Sequence, residues 1–142
     1  MLISTNSVNI IAGNLPKCRE MFCSGLFLSA RWFVVSQLDY EGMQLIVMPD
    51  RESAEYCAVD LYNLIEGDNV FFLPDSGKRL EKSNYKASLG VQRTSALGKI
   101  IDYKEGRLIV VTYPSALEEG IPSASSIKSS LMKFTVGDEV SH

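Results

Sequence analysis

The chain has 142 residues, of which 46% are hydrophobic and 22% charged. This length and composition are typical of one globular domain and exclude a disordered or fibrous chain. The chain has 14 lysine and arginine residues and 17 aspartate and glutamate residues, which gives a net charge of -3. This charge argues against electrostatic binding of nucleic acid over the whole surface but does not exclude a local basic patch.

Cysteine usage and hydropathy predict the compartment. The three cysteines, Cys18, Cys23 and Cys57, form neither a C-x-x-C pair nor a metal-binding spacing, which is typical of a reducing compartment. The N-terminus lacks the pattern of a secretion signal, and no apolar run approaches the ~18 residues of a membrane span. We therefore expect a soluble cytoplasmic protein that makes no contact with a membrane.

The first part of the chain divides at about residue 18. Residues 1–18 are weakly patterned and are interpreted as an N-terminal arm or a short helix. From residue 19 the apolar stretch Met21–Cys23 predicts a strand that ends in a tight turn at Ser24-Gly25. Apolar residues at helical spacing then predict a helix, and the stripe comprises Leu28, Trp32, Val35 and Leu38.

Three further apolar runs alternate with helical patterns. The runs cover residues 45–48, 70–73 and 108–111, and the first two end in Pro-Asp. A strong helical face follows Asp50, a polar loop is predicted between Ser76 and Gly90, and a third helix is predicted from there to about residue 101. Strands that alternate with helices in this way predict an α/β domain over residues 19–128, with a three-layer arrangement of a parallel sheet and helices on both faces.

The end of the chain has a different pattern. Met132, Phe134 and Val136 alternate with polar residues, as in a half-exposed strand. Residues 129–142 are therefore predicted to be a final edge strand, or the start of a following domain.

The turn at residues 23–30 has the position of a phosphate loop but not its chemistry. A phosphate loop needs small residues, a lysine and a following hydroxyl. Phe27 stands where the second glycine belongs and Leu28 where the lysine belongs, while Ser24, Gly25 and Ser29 are retained. We expect no nucleotide cofactor at this position.

The sequence contains little that is typical of a catalytic or metal-binding site. The only histidine is His142, no nucleophile elbow occurs, and acidic residues lack His or Cys partners at ligand spacing, so we expect no catalytic residues and no metal site. Glu118 and Glu119 are interpreted as solvated surface, and Trp32 as core.

The most basic segment lies in the predicted loop. Lys78, Arg79, Lys82 and Lys86 surround Tyr85, and basic residues beside an aromatic can follow a phosphate backbone. A solvated loop with scattered lysines explains the same pattern, and contact with a protein is a third interpretation.

Five ordered segments resemble the N-terminal region of the bacterial transcription-repair coupling factor, a region itself similar to the damage-recognition helicase subunit of the excision nuclease. The resemblance runs from about residue 20 to residue 141. The segments are FCSGLFLSA at 22–30, LIVMPDRESAEYCAVDL at 45–61, NVFFLPD at 69–75, RLIVVTYPSAL at 107–117 and SLMKFTVGDEVS at 130–141.

The resemblance implies a derelict helicase lobe whose phosphate loop has lost its lysine. It implies partners in the other domains of a long protein, with the first subunit of the excision nuclease and RNA polymerase bound through regions absent here, and an ATP-driven DNA translocase elsewhere in that protein. Residues after Met132 resemble the opening of the domain that binds the first excision-nuclease subunit. The chain departs from the family at Ser76–Arg79, where an aromatic and acidic sequence is usual, so contacts of that loop do not transfer.

Two functions from different classes follow. The first is a non-catalytic scaffold domain in transcription-coupled nucleotide-excision DNA repair, which supports recruitment of the excision nuclease. The second is a small nucleic-acid-binding or protein-interaction module that uses the basic loop at 78–86. A small phosphate-using enzyme of the same fold is a third hypothesis, without any acid, base or nucleophile arrangement to support it.

Overall fold

The computed structural model describes residues 5–38, 40–66, 69–77 and 84–130. The protein is a mixed α/β domain built on a small parallel sheet. The regular elements, in chain order, are α1 (Thr5–Asn14), a 3-10 helix (Leu15–Lys17), α2 (Ala30–Gln37), β1 (Gly42–Val47), α3 (Arg51–Leu64), β2 (Val70–Phe72), α4 (Asn84–Asp102), β3 (Arg107–Thr112), α5 (Pro114–Glu118) and α6 (Ala124–Ser130).

Three parallel strands form the sheet in the order β1-β3-β2. Val110 of β3 lies between Leu45 of β1 and Phe71 of β2 in the register. The three apolar runs predicted as strands at 45–48, 70–73 and 108–111 are confirmed, although β1 begins earlier, at Gly42. The crossover helices predicted between them are α3 and α4.

The central strand β3 is buried along almost its whole length, and its alternate side chains enter two core clusters. Ile109 and Val111 pack with Trp32 of α2 and with the buried face of α3. Leu108 and Val110 pack instead with Leu97 of α4 and Ile127 of α6. This explains why the run at 108–111 is continuously apolar rather than alternating, since both of its faces are covered. The prediction that Trp32 is core is confirmed, because it is 8% exposed.

Helix α3 begins and packs as its sequence predicts. The Asp50 side chain accepts a hydrogen bond from the Ser53 N–H at 2.8 Å, which satisfies one of the unpaired donors at the start of the helix. Its buried face consists of Ala54, Cys57, Ala58 and Leu61. The small residues on this face allow the helix to approach β2 and β3 closely. The stop predicted at Gly67 lies outside the described residues.

The strand predicted at Met21–Cys23 is wrong, because residues 21–24 have no regular secondary structure. The run is only three residues long and its central side chain, Phe22, is 94% exposed, so no burial in a sheet stabilises an extended conformation there. The following helix also begins later than predicted, at Ala30. Leu28 lies outside it and is 84% exposed rather than on the buried stripe.

The boundaries of α4 correct a second prediction. Residues 84–90 form the first turns of α4 rather than part of a polar loop, since Lys86, Ala87 and Leu89 favour a helix and Leu89 is buried. Tyr85 and Lys86 are therefore helical.

The two ends of the chain are described in part. Residues 5–17 form α1 and the 3-10 helix, in agreement with a short helix in the N-terminal arm. The predicted edge strand around Met132–Val136 lies outside the described residues, and α6 is the last described element. Within the part of the chain that is described, no helix is long and apolar enough to cross a membrane.

Candidate functional site at the strand ends

The predicted phosphate-loop position is an open turn in front of α2. Gly25 and Leu28 both adopt positive φ angles, 77° and 50°. For leucine this left-handed conformation is strained by about 1–2 kcal/mol. Phe27 is 78% exposed and Leu28 84% exposed. Two large apolar side chains therefore project from this turn into solvent, and residues 21–24 supply no strand that leads into it.

Ser29, the residue at the magnesium-binding hydroxyl position, contacts another element. Its hydroxyl donates to Asp60 Oδ2 of α3 at 2.6 Å. A phosphate placed at this turn would approach the Asp60 carboxylate, and like charges at such a distance repel. The hydroxyl ties the start of α2 to α3, and the carboxylate beside it opposes an anionic ligand.

A polar cleft lies at the carboxyl ends of the three strands, the edge at which open parallel sheets usually bind ligands. Its volume is about 520 Å³. Each strand contributes residues from the segment that follows it, and the lining comprises Pro49, Asp50, Arg51, Asp75, Tyr113, Pro114, Ser115 and Glu118.

Three of these residues form what we call the strand-end latch: Arg51, Asp75 and Tyr113. Arg51 Nη2 donates to Asp75 Oδ1 at 2.6 Å and to Oδ2 at 2.7 Å, and Arg51 Nε donates to the Tyr113 hydroxyl oxygen at 3.0 Å. The same oxygen accepts the Asp75 N–H at 2.9 Å, and Gly77 N–H donates to Asp75 Oδ1 at 2.8 Å. Because the three residues follow β1, β2 and β3, the latch joins the ends of all three strands.

The latch perturbs the protonation of its members. Partial burial alone would raise the pKa of Asp75, but hydrogen bonds from Arg51 and Gly77 outweigh it, so the pKa lies below its ordinary value. Burial likewise opposes the charge of Arg51, yet its bonds to Asp75 and Tyr113 raise its pKa. Burial raises the pKa of Tyr113 against its bonds from the Asp75 backbone and Arg51. At neutral pH the latch is a compensated ion pair beside a neutral phenol.

A second polar cluster lies next to the latch around Arg93, which is 6% exposed. Its Nη1 donates to the carbonyl oxygens of Pro74 at 2.6 Å and Ala116 at 3.3 Å, and Nη2 donates to that of Glu119 at 3.4 Å. The Glu119 carboxylate lies 3.8 Å from Arg93 Nε. It also accepts the Ser76 N–H at 2.6 Å and the Ser76 hydroxyl. We call Arg93, Glu119 and Ser76 the Arg93 cluster.

The Arg93 cluster corrects the interpretation of Glu119 as solvated surface. Glu118 is exposed, but the Glu119 side chain retains 15% of its accessible surface. The carboxylate turns inward because Arg93 and the Ser76 N–H leave a buried positive region that needs an acceptor. Sequence reasoning missed both clusters, since the partners of Arg51 and Arg93 are 19 or more positions away in the chain. The recurrence of proline at all three strand ends, Pro49, Pro74 and Pro114, was the available signal.

In both clusters the charged side chains are paired with groups of the same chain. The charged atoms of the latch face one another, and a ligand phosphate would have to displace Asp75 from Arg51. In the described ranges, no group of three or more His, Cys, Asp and Glu residues could hold a metal ion. Cys57 is buried beside Asp60, and burial raises its pKa to about 12, so it is an inert thiol at neutral pH.

The structure tests the basic segment only in part. Lys78, Arg79 and Lys82 lie outside the described residues. Tyr85 is 48% exposed and its hydroxyl donates to Glu55 Oε1 at 2.7 Å. That hydrogen bond is the main cause of a raised pKa of Tyr85, and partial burial raises the pKa further. Lys86 is half-buried on α4. The described residues thus place an acidic neighbour at the aromatic of the predicted contact surface.

Comparisons with known proteins yield no relative for this chain. No known protein family, curated protein or solved structure matches it.

Proposed function

We propose that this chain is a non-catalytic scaffold domain of a transcription-repair coupling factor. It would act in the cytoplasm in transcription-coupled nucleotide-excision DNA repair and support the recruitment of the excision nuclease. In this proposal the sheet and its helices are a degenerate, P-loop-type three-layer helicase lobe. The partners are the adjoining domains and, through regions outside this chain, the first subunit of the excision nuclease and RNA polymerase.

One observation carries the non-catalytic part of the proposal. Phe27 and Leu28 stand at the sequence positions where a phosphate loop needs a glycine and a lysine, and both are exposed, while the Ser29 hydroxyl donates to Asp60 at 2.6 Å. Both features oppose an anionic ligand at that turn. The partner assignment has a separate support, the ordered resemblance of five sequence segments.

The structural role is supported by the strand-end latch and the Arg93 cluster. Together they fix the carboxyl edge of the sheet with hydrogen bonds between residues that are far apart in the chain. Salt-bridged networks of this kind favour a single arrangement of the elements that they join. A rigid edge suits a domain whose task is to position its neighbours.

A titration of the purified chain with ATP and magnesium tests the first part. We expect no heat of binding and no thermal stabilisation at millimolar nucleotide, since a ligand that binds only the native state must raise the melting temperature. Saturable binding at micromolar ATP would overturn the non-catalytic assignment.

A domain replacement tests the second part. The corresponding region of a transcription-repair coupling factor is exchanged for this chain, and recruitment of the first excision-nuclease subunit and strand-specific repair are measured. We expect both to be retained, and to be lost when Leu61→Asp breaks the core, because Leu61 is fully buried. If the chimera performs no better than one carrying an unrelated α/β domain of the same size, the scaffold assignment fails.

The alternative proposal is a nucleic-acid-binding or protein-interaction module based on the segment at 78–86. Its support is the cluster of basic residues in the sequence, while the bond between Tyr85 and Glu55 weighs against free stacking on a base. DNA affinity that falls with salt, and falls further when Lys78, Arg79 and Lys82 become alanine, would favour it. Absence of binding at low salt would exclude a nucleic-acid partner.

A further inference from the structure

Among the described residues, strand β1 has an unpaired edge with an apolar stripe on it. β1 is the outer strand next to β3, and its burial alternates strictly along Gly42–Val47. The exposed positions are Met43, Leu45 and Val47, which keep 40%, 56% and 49% of their accessible surface. Their neighbours on β3, Leu108 and Val110, are buried. On this face of the sheet the core therefore covers β3 but leaves β1 exposed.

The same three residues carry the unpaired backbone groups of that edge. Gly42 N–H donates to the Gly106 carbonyl oxygen and Met48 N–H to that of Thr112, both at 2.8 Å. Because pairing in a strand alternates with a period of two, the even-numbered residues face β3. The N–H and C=O groups of the odd-numbered residues face outward.

The edge also lacks the devices that prevent strands from pairing. The sequence of β1, GMQLIV, has no charged residue and no proline, and lysine, proline and bulges are the features that usually protect an edge strand. At the opposite side of the sheet, β2 has only three residues and is contacted by both α3 and α4. The β2 edge is therefore shorter than the β1 edge and is packed against helices.

We propose that the β1 edge is an interface with a second copy of this chain, formed by antiparallel pairing of β1 with β1 about a two-fold axis at Leu45. In this register Leu45 faces Leu45, and Met43 faces Val47 of the second copy. All three are outward-bonding positions, so each pair exchanges both backbone hydrogen bonds.

The two-fold arrangement is self-complementary in its side chains and charges. Paired residues in a sheet share a face, so the apolar stripes of the two copies join into one continuous surface. Glu41 comes opposite Pro49 of the second copy, so that no carboxylate lies directly opposite another. The result is a single sheet of six strands with isologous contacts.

The interface is expected to be weak. Three side chains from each copy fall short of the ~1,200 Å² that stable interfaces bury. The dimer should therefore form with increasing concentration and remain in exchange with the monomer.

Sedimentation equilibrium tests the proposal, together with amide hydrogen exchange at low and high protein concentration. We expect the mass to rise with concentration from 15.7 kDa toward twice that value, with concentration-dependent protection of the Met43, Leu45 and Val47 amides. Leu45→Lys should remain monomeric at every concentration. Val91→Lys, a matched change at a 70% exposed position on α4, should behave as the parent chain.

Three results would overturn the proposal. The first is a monomer over the whole range up to millimolar protein. The second is a dimer that persists in Leu45→Lys. The third is full protection of the three amides in the monomer, which would mean that another segment of the same chain covers the edge. None of these results bears on the nucleotide or domain-replacement tests of the proposed function.

Discussion

Arg93→Met is the substitution that tests most directly whether the polar clusters stabilise the fold. Methionine has a similar length and fills the same space, but it removes the donor to three carbonyl oxygens and the positive charge next to the Glu119 carboxylate. Breaking a buried ion pair by removing one partner costs about 3–5 kcal/mol. We expect the lower end, about 3 kcal/mol, because the 3.8 Å ion pair is long and Glu119 keeps both bonds from Ser76.

Urea unfolding monitored by the fluorescence of Trp32 measures this cost, since Trp32 is the only tryptophan and lies in the core. The slope of the transition should not change, and the melting temperature should fall by roughly 10 °C. The matched control is Lys104→Met, which removes a positive charge from an exposed position and should cost less than about 0.5 kcal/mol.

A double-mutant cycle with Glu119→Gln separates the ion pair from the carbonyl bonds. Glu119→Gln alone retains the contacts of Arg93 with Pro74 and Ala116, so it should cost less than Arg93→Met. A decrease in the free energy of unfolding of less than about 1 kcal/mol for Arg93→Met would refute the reasoning. If the bonds of the buried guanidinium to three carbonyl oxygens stabilise the strand ends, their removal must decrease the free energy of unfolding by more than that.

Three further predictions concern single side chains. The pKa of Asp75 is lower in the folded state than in the unfolded state. Ionised Asp75 therefore stabilises the folded state above its unfolded pKa of about 4, and this stabilisation is lost as the pH falls toward the pKa of the folded state. Asp75→Asn should therefore flatten the pH dependence of the unfolding free energy below about pH 4 in acid titrations. A thiol reagent at neutral pH should label Cys18 and Cys23, which are exposed, and label Cys57 only after denaturation; labelling of all three in the native state would contradict the burial of α3. Leu28→Asn should raise the free energy of unfolding by about 0.5 kcal/mol in the same urea assay, because asparagine tolerates a φ of 50° and little apolar contact is lost; a clear destabilisation would show that the exposed leucine makes contacts of its own.

The sequence predicted the elements whose stabilisation is local or strongly periodic. The run at 108–111 is apolar at every position because both faces of β3 are covered, and α3 shows a cap and a small-residue face within a single segment. The run at 21–23 has the same composition as a strand, but its conformation depends on whether a neighbouring strand pairs with it, which no local pattern encodes. This is why the predicted strand failed there.

The residues of the candidate site could not be predicted from the sequence. Parallel strands are expected to bind ligands at their carboxyl ends, but residues 24–29, named from the sequence, are not among those that line the cleft found there. The residues that fill it are 24 positions apart for Arg51 and Asp75 and 62 positions apart for Arg51 and Tyr113. Such pairings follow from the twist and order of the strands, so they become visible only once the fold is known. Arg93 was hidden for the same reason, since the carbonyl oxygens that it contacts are 19, 23 and 26 positions away in the chain.

The charged groups at the carboxyl edge and the apolar turn before α2 both oppose the binding of a phosphate. A phosphate that approached Arg51 would have to compete with a bidentate carboxylate already held at 2.6 and 2.7 Å, and the displaced Asp75 would lose the bonds that lower its pKa. At the turn before α2, a ligand would meet Phe27, Leu28 and the Asp60 carboxylate instead of a lysine. Exposed aromatic and aliphatic side chains are more suited to contact with protein surfaces than with phosphate. The charged groups of the latch are thus engaged with one another, while the large apolar side chains of Phe27 and Leu28 are open to solvent.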